Sequence, residues 1–162
     1  TSAISLDRSA KEITELKQKA AAAARQKALN ILTFSYVVCR PTRAEAEEYH
    51  HYYSQQHADW AAVDNIIRLM FENAESFPKD QLKLIRDRFS AGHGGFPLVG
   101  TPDDVADGLE QLYRTGFSGT TLSFTDYVAE FPYFRDEVLP RLEARGLREP
   151  FRPYDDAAGE AA

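Results

Sequence analysis

The chain is poor in cysteine and in positive charge. Cys39 is its single cysteine, so no disulfide can form within the chain. Lysine and arginine number 19 against 25 aspartates and glutamates, and the net charge is −6. An acidic chain without a basic stripe lacks the positive charge that neutralises nucleic-acid phosphates. We therefore expect no nucleic-acid partner.

Long apolar runs are also missing. No stretch approaches the roughly 20 apolar residues that a membrane-spanning helix needs. Lys11, Glu12 and Glu15 interrupt any apolar segment near the start, which is not typical of a signal peptide. These absences predict no membrane partner and a cytoplasmic location. The 43% of apolar residues suffices for one globular domain with a core.

Two short runs have the composition of buried β-strands. Residues 31–39, ILTFSYVVC, are apolar at nearly every position and rich in β-branched and aromatic side chains. Such a run suits a parallel strand that is covered on both faces. Residues 120–124, TTLSF, form a second β-prone run.

Helix signals surround these runs. Thr42 with Glu45 forms a capping-box pattern, and residues 43–73 read as one long helical stretch. Thr101 is a candidate N-cap, and Gly116 is a natural stop for the helix that follows it. Asp126 opens the pattern of a last helix. A shorter helix is expected over residues 79–89.

Histidines in the long helical stretch do not indicate a metal site. His50, His51 and His57 are adjacent or six to seven residues apart, whereas zinc-binding histidines on a helix are three or four apart. The neighbouring tyrosines and Trp60 are interpreted as a packing face. We predict no metal.

Residues 91–100, AGHGGFPLVG, read as a glycine-rich loop. Gly92, Gly94 and Gly95 can adopt positive φ angles or allow close approach to a ligand. The spacing matches neither the dinucleotide fingerprint nor the P-loop. Two interpretations stay open, a mobile cover over a ligand site and an inert connector.

Three sequence blocks carry a family resemblance. Residues 96–106 (FPLVGTPDDVA), 116–124 (GFSGTTLSF) and 137–142 (EVLPRL) resemble the C-terminal end of the bacterial-luciferase-like family of flavin-dependent mono-oxygenases, which includes alkanesulfonate mono-oxygenases. The resemblance implies an α/β fold, the C-terminal part of a (β/α)8 TIM-type barrel with parallel strands and flanking helices. In such a barrel we expect the runs around Phe34 and Leu122 to lie side by side and parallel, within a larger closed sheet whose other strands are outside this chain. Such a barrel typically needs about 250 residues. We expect residues 1–148 to be its C-terminal β/α units, and residues 149–162 to be a disordered tail.

The resemblance also implies a chemistry. In the family, a separate flavin reductase supplies reduced FMN, oxygen adds to the flavin, and the peroxide adduct inserts one oxygen atom into a small organic substrate. Most of the FMN site would lie on earlier strands outside this chain, so the fragment alone should be inactive. The complete protein would be a homo-oligomer.

Seven residues are the candidates for a site at the barrel rim. His93 and Tyr127 are the catalytic candidates, since His93 could donate to an anionic substrate or peroxide and Tyr127 could hydrogen-bond a substrate or flavin oxygen. The residues expected to contact substrate or shape the loop are Gly92, Gly94, Gly95, Ser123 and Asp126. Structural interpretations compete with these roles: an exposed loop histidine for His93, packing on Phe131 for Tyr127, and a helix N-cap for Asp126. In the alkanesulfonate branch of the family, an arginine in this region helps to hold the sulfonate. No arginine lies between Ser90 and Asp104 in this sequence, which argues against a sulfonate substrate.

Two other functions remain open. The chain could be a non-catalytic interaction module, a truncated barrel that binds a partner through the open edge of its sheet. It could also belong to a deazaflavin-dependent reductase of the same superfamily.

Overall fold

The computed structural model describes residues 3, 5–25, 29–71 and 81–152. Helices separate the strands along the described part of the chain. They are α1 (Leu6–Ala22), β1 (Leu32–Cys39), α2 (Arg43–His51), a π-helical turn (Tyr52–Gln56), α3 (Trp60–Phe71), α4 (Leu82–Gly92), β2 (Phe96–Gly100), α5 (Pro102–Thr115), β3 (Gly119–Ser123) and α6 (Tyr127–Ala144). In the part of the chain that is described, no helix combines the length and the apolar character needed to cross a membrane.

The strands form one parallel sheet in the order β2-β1-β3. Phe34 pairs with Thr121 and Ser35 with Leu122, so the predicted parallel pairing of the two β-runs is confirmed. The other edge of β1 pairs with β2 from Ser35 to Cys39. The first strand in the chain is therefore the central strand of the sheet, and the expected α/β class is confirmed.

The two faces of β1 have different neighbours, because successive side chains of a strand point to opposite faces. On one face, Val37 and Cys39 join the main apolar core. That core draws its buried side chains from α1, α5 and α6 as well as from the sheet: Ile13, Phe96, Leu98, Val105, Ala106, Leu112, Phe117, Phe134, Val138 and Leu142. On the other face lie Leu32, which is 52% exposed, and Tyr36, which is 5% exposed. The helices α1, α5 and α6 thus cover a single face of the sheet.

The helix starts follow the capping signals in the sequence. The Thr42 and Thr101 hydroxyls each accept a hydrogen bond from the backbone N–H three residues on, and both capping boxes are complete. Asp126 caps α6 by accepting from two backbone N–H groups. Gly116, with φ of 110°, ends α5 in the left-handed region that glycine tolerates. These local predictions are confirmed.

The prediction of a glycine-rich loop over residues 91–100 is wrong at both ends. Ala91 and Gly92 are the last residues of α4, and Phe96–Gly100 is the strand β2. Only residues 93–95 connect them. Pro97 has no backbone N–H, and it fits because β2 lies at an edge of the described sheet.

The single long helix predicted over residues 43–73 is also wrong. The chain leaves α-helical geometry after His51, makes the π-helical turn Tyr52–Gln56, and starts α3 at Trp60. The helix expected over residues 79–89 is α4, at Leu82–Gly92. Parts of both predictions, together with most of the predicted tail, fall in residues 72–80 and 153–162, which lie outside the described residues.

Candidate active site at the carboxyl edge of the sheet

A small cavity lies between β1, β3 and the end of α4. It has a volume of about 110 Å³. The residues that line it come from the second half of β1, the π-helical turn, the last turn of α4 and the residues where β3 ends: Tyr36, Val37, Tyr53, Ala91, Gly92, Ser123, Phe124 and Thr125. Ligands of parallel α/β sheets bind at the carboxyl ends of the strands. The cavity is therefore in the position where such a fold binds its ligand.

Two tyrosines contribute polar groups to the cavity wall. The Tyr53 hydroxyl donates a hydrogen bond to the Ala91 carbonyl at 3.0 Å, which ties the π-helical turn to the end of α4. Burial raises the pKa of Tyr36 to about 12 and also raises the pKa of Tyr53. Both phenols are thus protonated hydrogen-bond donors at neutral pH.

A histidine is held between these two rings. His50 stacks on Tyr36 with a centroid separation of 5.7 Å and an interplanar angle of 2°, and it meets Tyr53 edge-on at 5.7 Å. Burial lowers the pKa of His50, so its imidazole is neutral at physiological pH. Its Nε2 is buried and has no hydrogen-bond partner. The His50 ring packs behind the two tyrosines and is not among the residues that line the cavity.

The π-helical turn places Tyr53 in the cavity. A π-turn inserts an extra residue into a helix and shifts the direction of the side chains that follow, and such turns are frequent at functional sites. Ser54, in the same turn, is fully buried, and its Oγ has no hydrogen-bond partner. An orphaned buried hydroxyl is costly, which indicates that the turn is retained despite a local penalty.

An ion pair lies at the carboxyl end of β1, next to the cavity. The Arg40 guanidinium donates to the buried Glu130 carboxylate (Nη2 to Oε1, 2.5 Å) and lies over the Tyr49 ring at 4.3 Å. Glu130 also accepts from the Asp126 backbone N–H at 3.1 Å. The pair joins the end of β1 to the start of α6. Beyond it lies an open cleft of about 500 Å³, lined by Arg40, Pro41, Glu45, Glu48, Tyr49, His51, Tyr52 and Gln56.

The structure brings some of the predicted site residues to the cavity. Gly92 and Ser123 line it. A side chain at Gly92 would place Cβ 2.5 Å from the Tyr36 Cβ, so glycine lets α4 approach the sheet. Asp126 serves as the N-cap of α6, with its carboxylate accepting from the N–H groups of Val128 and Ala129. The structural interpretation of Asp126 is the one that the contacts show.

The two catalytic candidates do not line the cavity. His93 is the exposed C-cap of α4, in the left-handed region at φ 52°, with its ring against Phe89. The Tyr127 hydroxyl donates to the Leu122 carbonyl at 3.1 Å. Gly94 and Gly95 are buried in the turn before β2. A catalytic role for His93 or Tyr127 stays a prediction.

The functional candidates that sequence reasoning missed are Tyr36, His50, Tyr53 and the Arg40–Glu130 pair. Tyr36 belongs to residues 31–39, whose composition predicts a buried strand and no site. Tyr53 lies in the π-helical turn, for which the sequence has no signature. Cys39 packs in the apolar core, where burial raises its pKa to about 11; it is an inert apolar residue. No cluster of three or more His, Cys, Asp or Glu side chains suited to a metal ion occurs among the described residues.

Comparison with known proteins identifies the family. The profile of the family described as luciferase-like monooxygenase matches residues 1–119. The chain therefore belongs to the luciferase-like monooxygenase family, as the sequence blocks had indicated. No curated protein matches the chain.

Three solved structures contain a part with the same fold as this chain. DmoA from Hyphomicrobium sulfonivorans superposes with a TM-score of 0.74 and 21% identity over 92% of this chain. The long-chain alkane monooxygenase LadA gives a TM-score of 0.66 and 19% identity over 91%. The riboflavin lyase RcaE, solved with modified FMN and riboflavin, gives 0.64 and 20% over 88%. The chain spans only 37–38% of the length of these proteins, so it corresponds to part of their fold.

Proposed function

We propose that this chain is the C-terminal part of a flavin-dependent mono-oxygenase that inserts one atom of oxygen into a small organic substrate, with reduced FMN supplied by a separate reductase. The observation that carries the proposal is the family match over residues 1–119. The tyrosine-lined cavity at the carboxyl edge of β1 and β3 supports it, because this edge is where the barrel fold binds ligands. The complete enzyme would be a homo-oligomer located in the cytoplasm.

The described residues fit a flavin as one wall of its site. A cavity of about 110 Å³ is too small for a three-ring isoalloxazine, whose remaining contacts would come from other strands of the barrel. When bound, reduced FMN would supply the electrons for oxygen activation. From this side, the phenol of Tyr36 would donate a hydrogen bond, the Tyr53 oxygen would accept one while its proton stays on the Ala91 carbonyl, and Val37 and Phe124 would exclude water.

The residues of this chain would act mainly by orientation. Ser123 and Thr125 place hydroxyl groups at the cavity, and Tyr53 holds the end of α4 by its bond to Ala91. His93 would have to move from its exposed position to reach a ligand. Tyr127 would have to exchange its bond to the Leu122 carbonyl for one to substrate. Both roles are proposals that a kinetic test can separate.

The test uses the complete enzyme. Reduced FMN is titrated anaerobically, and oxygen uptake is then measured with candidate substrates. Tyr53→Phe, His93→Ala and Tyr127→Phe should each lower kcat, while Tyr113→Phe, at a 63% exposed tyrosine on α5, should leave it unchanged. Failure to bind reduced FMN, with binding and turnover of a reduced deazaflavin instead, would favour the reductase of the same superfamily.

One observation favours the non-catalytic module as a second candidate. Leu32 and Thr121 are exposed on a face of the sheet that α1, α5 and α6 do not cover. An uncovered sheet face and an open strand edge are binding surfaces for another chain. A reading frame that continues a barrel upstream of Thr1 would remove the basis of this alternative.

A further inference from the structure

The small cavity at the carboxyl edge of the sheet has an uncharged wall. Among the described residues, those that line it are all neutral, and Tyr36, Tyr53, Ser123 and Thr125 bring hydroxyl groups to it. A charged ligand would lose its water there without meeting an opposite charge in the wall, which is energetically costly. The wall therefore favours a ligand group that is polar but carries no charge.

The hydrogen bonds within the wall decide which polar positions stay open to a ligand. The Tyr53 hydroxyl donates its proton to the Ala91 carbonyl at 3.0 Å, and the Thr125 hydroxyl forms a hydrogen bond to the Tyr53 oxygen. The Ser123 hydroxyl donates to the Ser35 carbonyl at 3.4 Å. These protons are engaged, but a hydroxyl oxygen that donates can still accept. Thr125 and Ser123 can therefore each accept a hydrogen bond from a ligand.

The Tyr36 hydroxyl has the opposite character, because its proton is not engaged. Tyr36 is 5% exposed, and its hydroxyl makes no hydrogen bond within the part of the chain that the structure describes. The oxygen is not sealed from solvent as the Ser54 hydroxyl is. Burial raises the pKa of Tyr36 to about 12, so the phenol keeps its proton at neutral pH. A ligand in the cavity can therefore accept a hydrogen bond from Tyr36.

The volume of the cavity, about 110 Å³, limits the ligand group to a few atoms. A cavity of about 150 Å³ holds benzene, so about four non-hydrogen atoms fit in this one. A carboxamide with its neighbouring carbon has this size, and it presents a C=O acceptor beside an N–H donor without a charge. We propose that the cavity binds a carboxamide group of the substrate, whose C=O accepts from Tyr36 and whose N–H donates to Thr125 or Ser123. Calling this ligand the substrate rests on the proposed function, whereas the binding itself does not.

The experiment compares small ligands of one shape. Acetamide, acetone, acetate and acetamidinium are all trigonal, and they differ only in charge and in hydrogen-bonding groups. Their binding to the 162-residue chain is titrated by saturation-transfer difference NMR, which detects weak ligands. Acetamide should bind saturably, and acetone, which has no N–H, should bind about three- to tenfold more weakly. Acetate and acetamidinium should show no saturable binding, because their charges have no partner in the cavity wall.

Variants of the wall assign the two hydrogen bonds. Tyr36→Phe should weaken acetamide and acetone by the same factor, since both ligands present a C=O. Thr125→Val or Ser123→Ala should reduce the affinity for acetamide to that for acetone and leave acetone unchanged. Tyr113→Phe, at an exposed tyrosine on α5, is the matched control and should bind acetamide as wild type does.

The proposal is overturned if acetamide shows no saturable binding, or if acetone or either charged ligand binds as tightly as acetamide. It is also overturned if neither Thr125→Val nor Ser123→Ala weakens acetamide. A Tyr36→Phe chain that binds acetamide like wild type, or that does not fold, would equally contradict it, because the hydroxyl would then have no ligand or a structural role. These measurements involve no flavin, so a complete enzyme that fails to bind reduced FMN would contradict the proposed function alone.

Discussion

Replacement of Gly92 by alanine tests the contact that shapes the cavity. The new Cβ would lie 2.5 Å from the Tyr36 Cβ and 2.6 Å from two of its ring carbons, whereas carbon atoms normally approach to about 3.5–4.0 Å. Tyr36 is 5% exposed and lies on the central strand, so it cannot move away easily. The end of α4 must therefore shift by about 1 Å.

Overpacking of this kind costs about 1–3 kcal/mol, and alanine returns up to about 1 kcal/mol of helix propensity. We expect Gly92→Ala to lower the free energy of unfolding by about 1–2 kcal/mol, measured by urea denaturation. Gly119→Ala is the control, because the added Cβ would meet only the Leu32 Cδ2, at 3.2 Å. The Leu32 side chain is 52% exposed and can move aside, so the net effect should be close to zero. A Gly92→Ala chain as stable as wild type would refute the tight contact between α4 and β1.

Three further predictions concern ionisation, an ion pair and assembly. Burial raises the pKa of Tyr36 to about 12. Between about pH 10 and 12 the Tyr36 phenol is therefore ionised in the unfolded chain and still protonated in the folded chain. The free energy of unfolding should fall over this range by up to about 2–3 kcal/mol. Tyr36→Phe should flatten that fall in alkaline denaturation curves; an unchanged slope would contradict the assignment. Glu130→Gln leaves the Arg40 charge partly buried and unpaired, so we expect a loss of about 2–4 kcal/mol in urea. Glu137→Gln, which removes a half-exposed carboxylate paired with Arg141 on the same helix, should cost under about 1 kcal/mol. Equal losses for the two variants would show that the Arg40–Glu130 pair contributes no more to stability than the Glu137–Arg141 pair does. Finally, the isolated chain should self-associate in sedimentation velocity through its uncovered sheet face, and Leu32→Lys should reduce this; a single monomeric species for wild type would refute the expectation.

The features that sequence reasoning predicted well are local. The capping boxes at Thr42 and Thr101 and the glycine stop at Gly116 each act within a few residues, so the sequence carries the whole signal. The run of residues 31–39 also identified its strand, because a buried parallel strand needs apolar side chains on both faces. The parallel pairing with β3 followed from the family resemblance rather than from any local pattern.

The features that were missed depend on what lies elsewhere in the fold. Phe96–Gly100 is short and contains a proline and a glycine, so it reads as a loop until the edge of β1 supplies its hydrogen-bond partners. The Tyr53 hydroxyl in the π-helical turn Tyr52–Gln56 is bonded to the Ala91 carbonyl, 38 residues away, so its partner lies outside any local stretch of sequence. Tertiary contacts of this length override local propensity.

The residues of the candidate site also divide into those that local sequence predicts and those that depend on distant contacts. Gly92 and Ser123 were predicted from glycine content and from the end of a strand, and both line the cavity. The neutral His50 between two tyrosines required knowledge of which helix covers Tyr36. The Arg40–Glu130 pair joins residues 90 positions apart, and nothing in the neighbourhood of either residue indicates the other.

The position of β1 in the sheet has a consequence for synthesis. Ribosomes release a chain from its N-terminus, and this strand emerges well before either of the strands that hydrogen-bond to it. Its partner strands begin at Phe96 and Gly119, more than 50 residues further along the chain. An apolar strand whose hydrogen-bonding partners are synthesised this much later is exposed to aggregation during translation. Chaperone dependence in the cell would thus originate in the order of the strands.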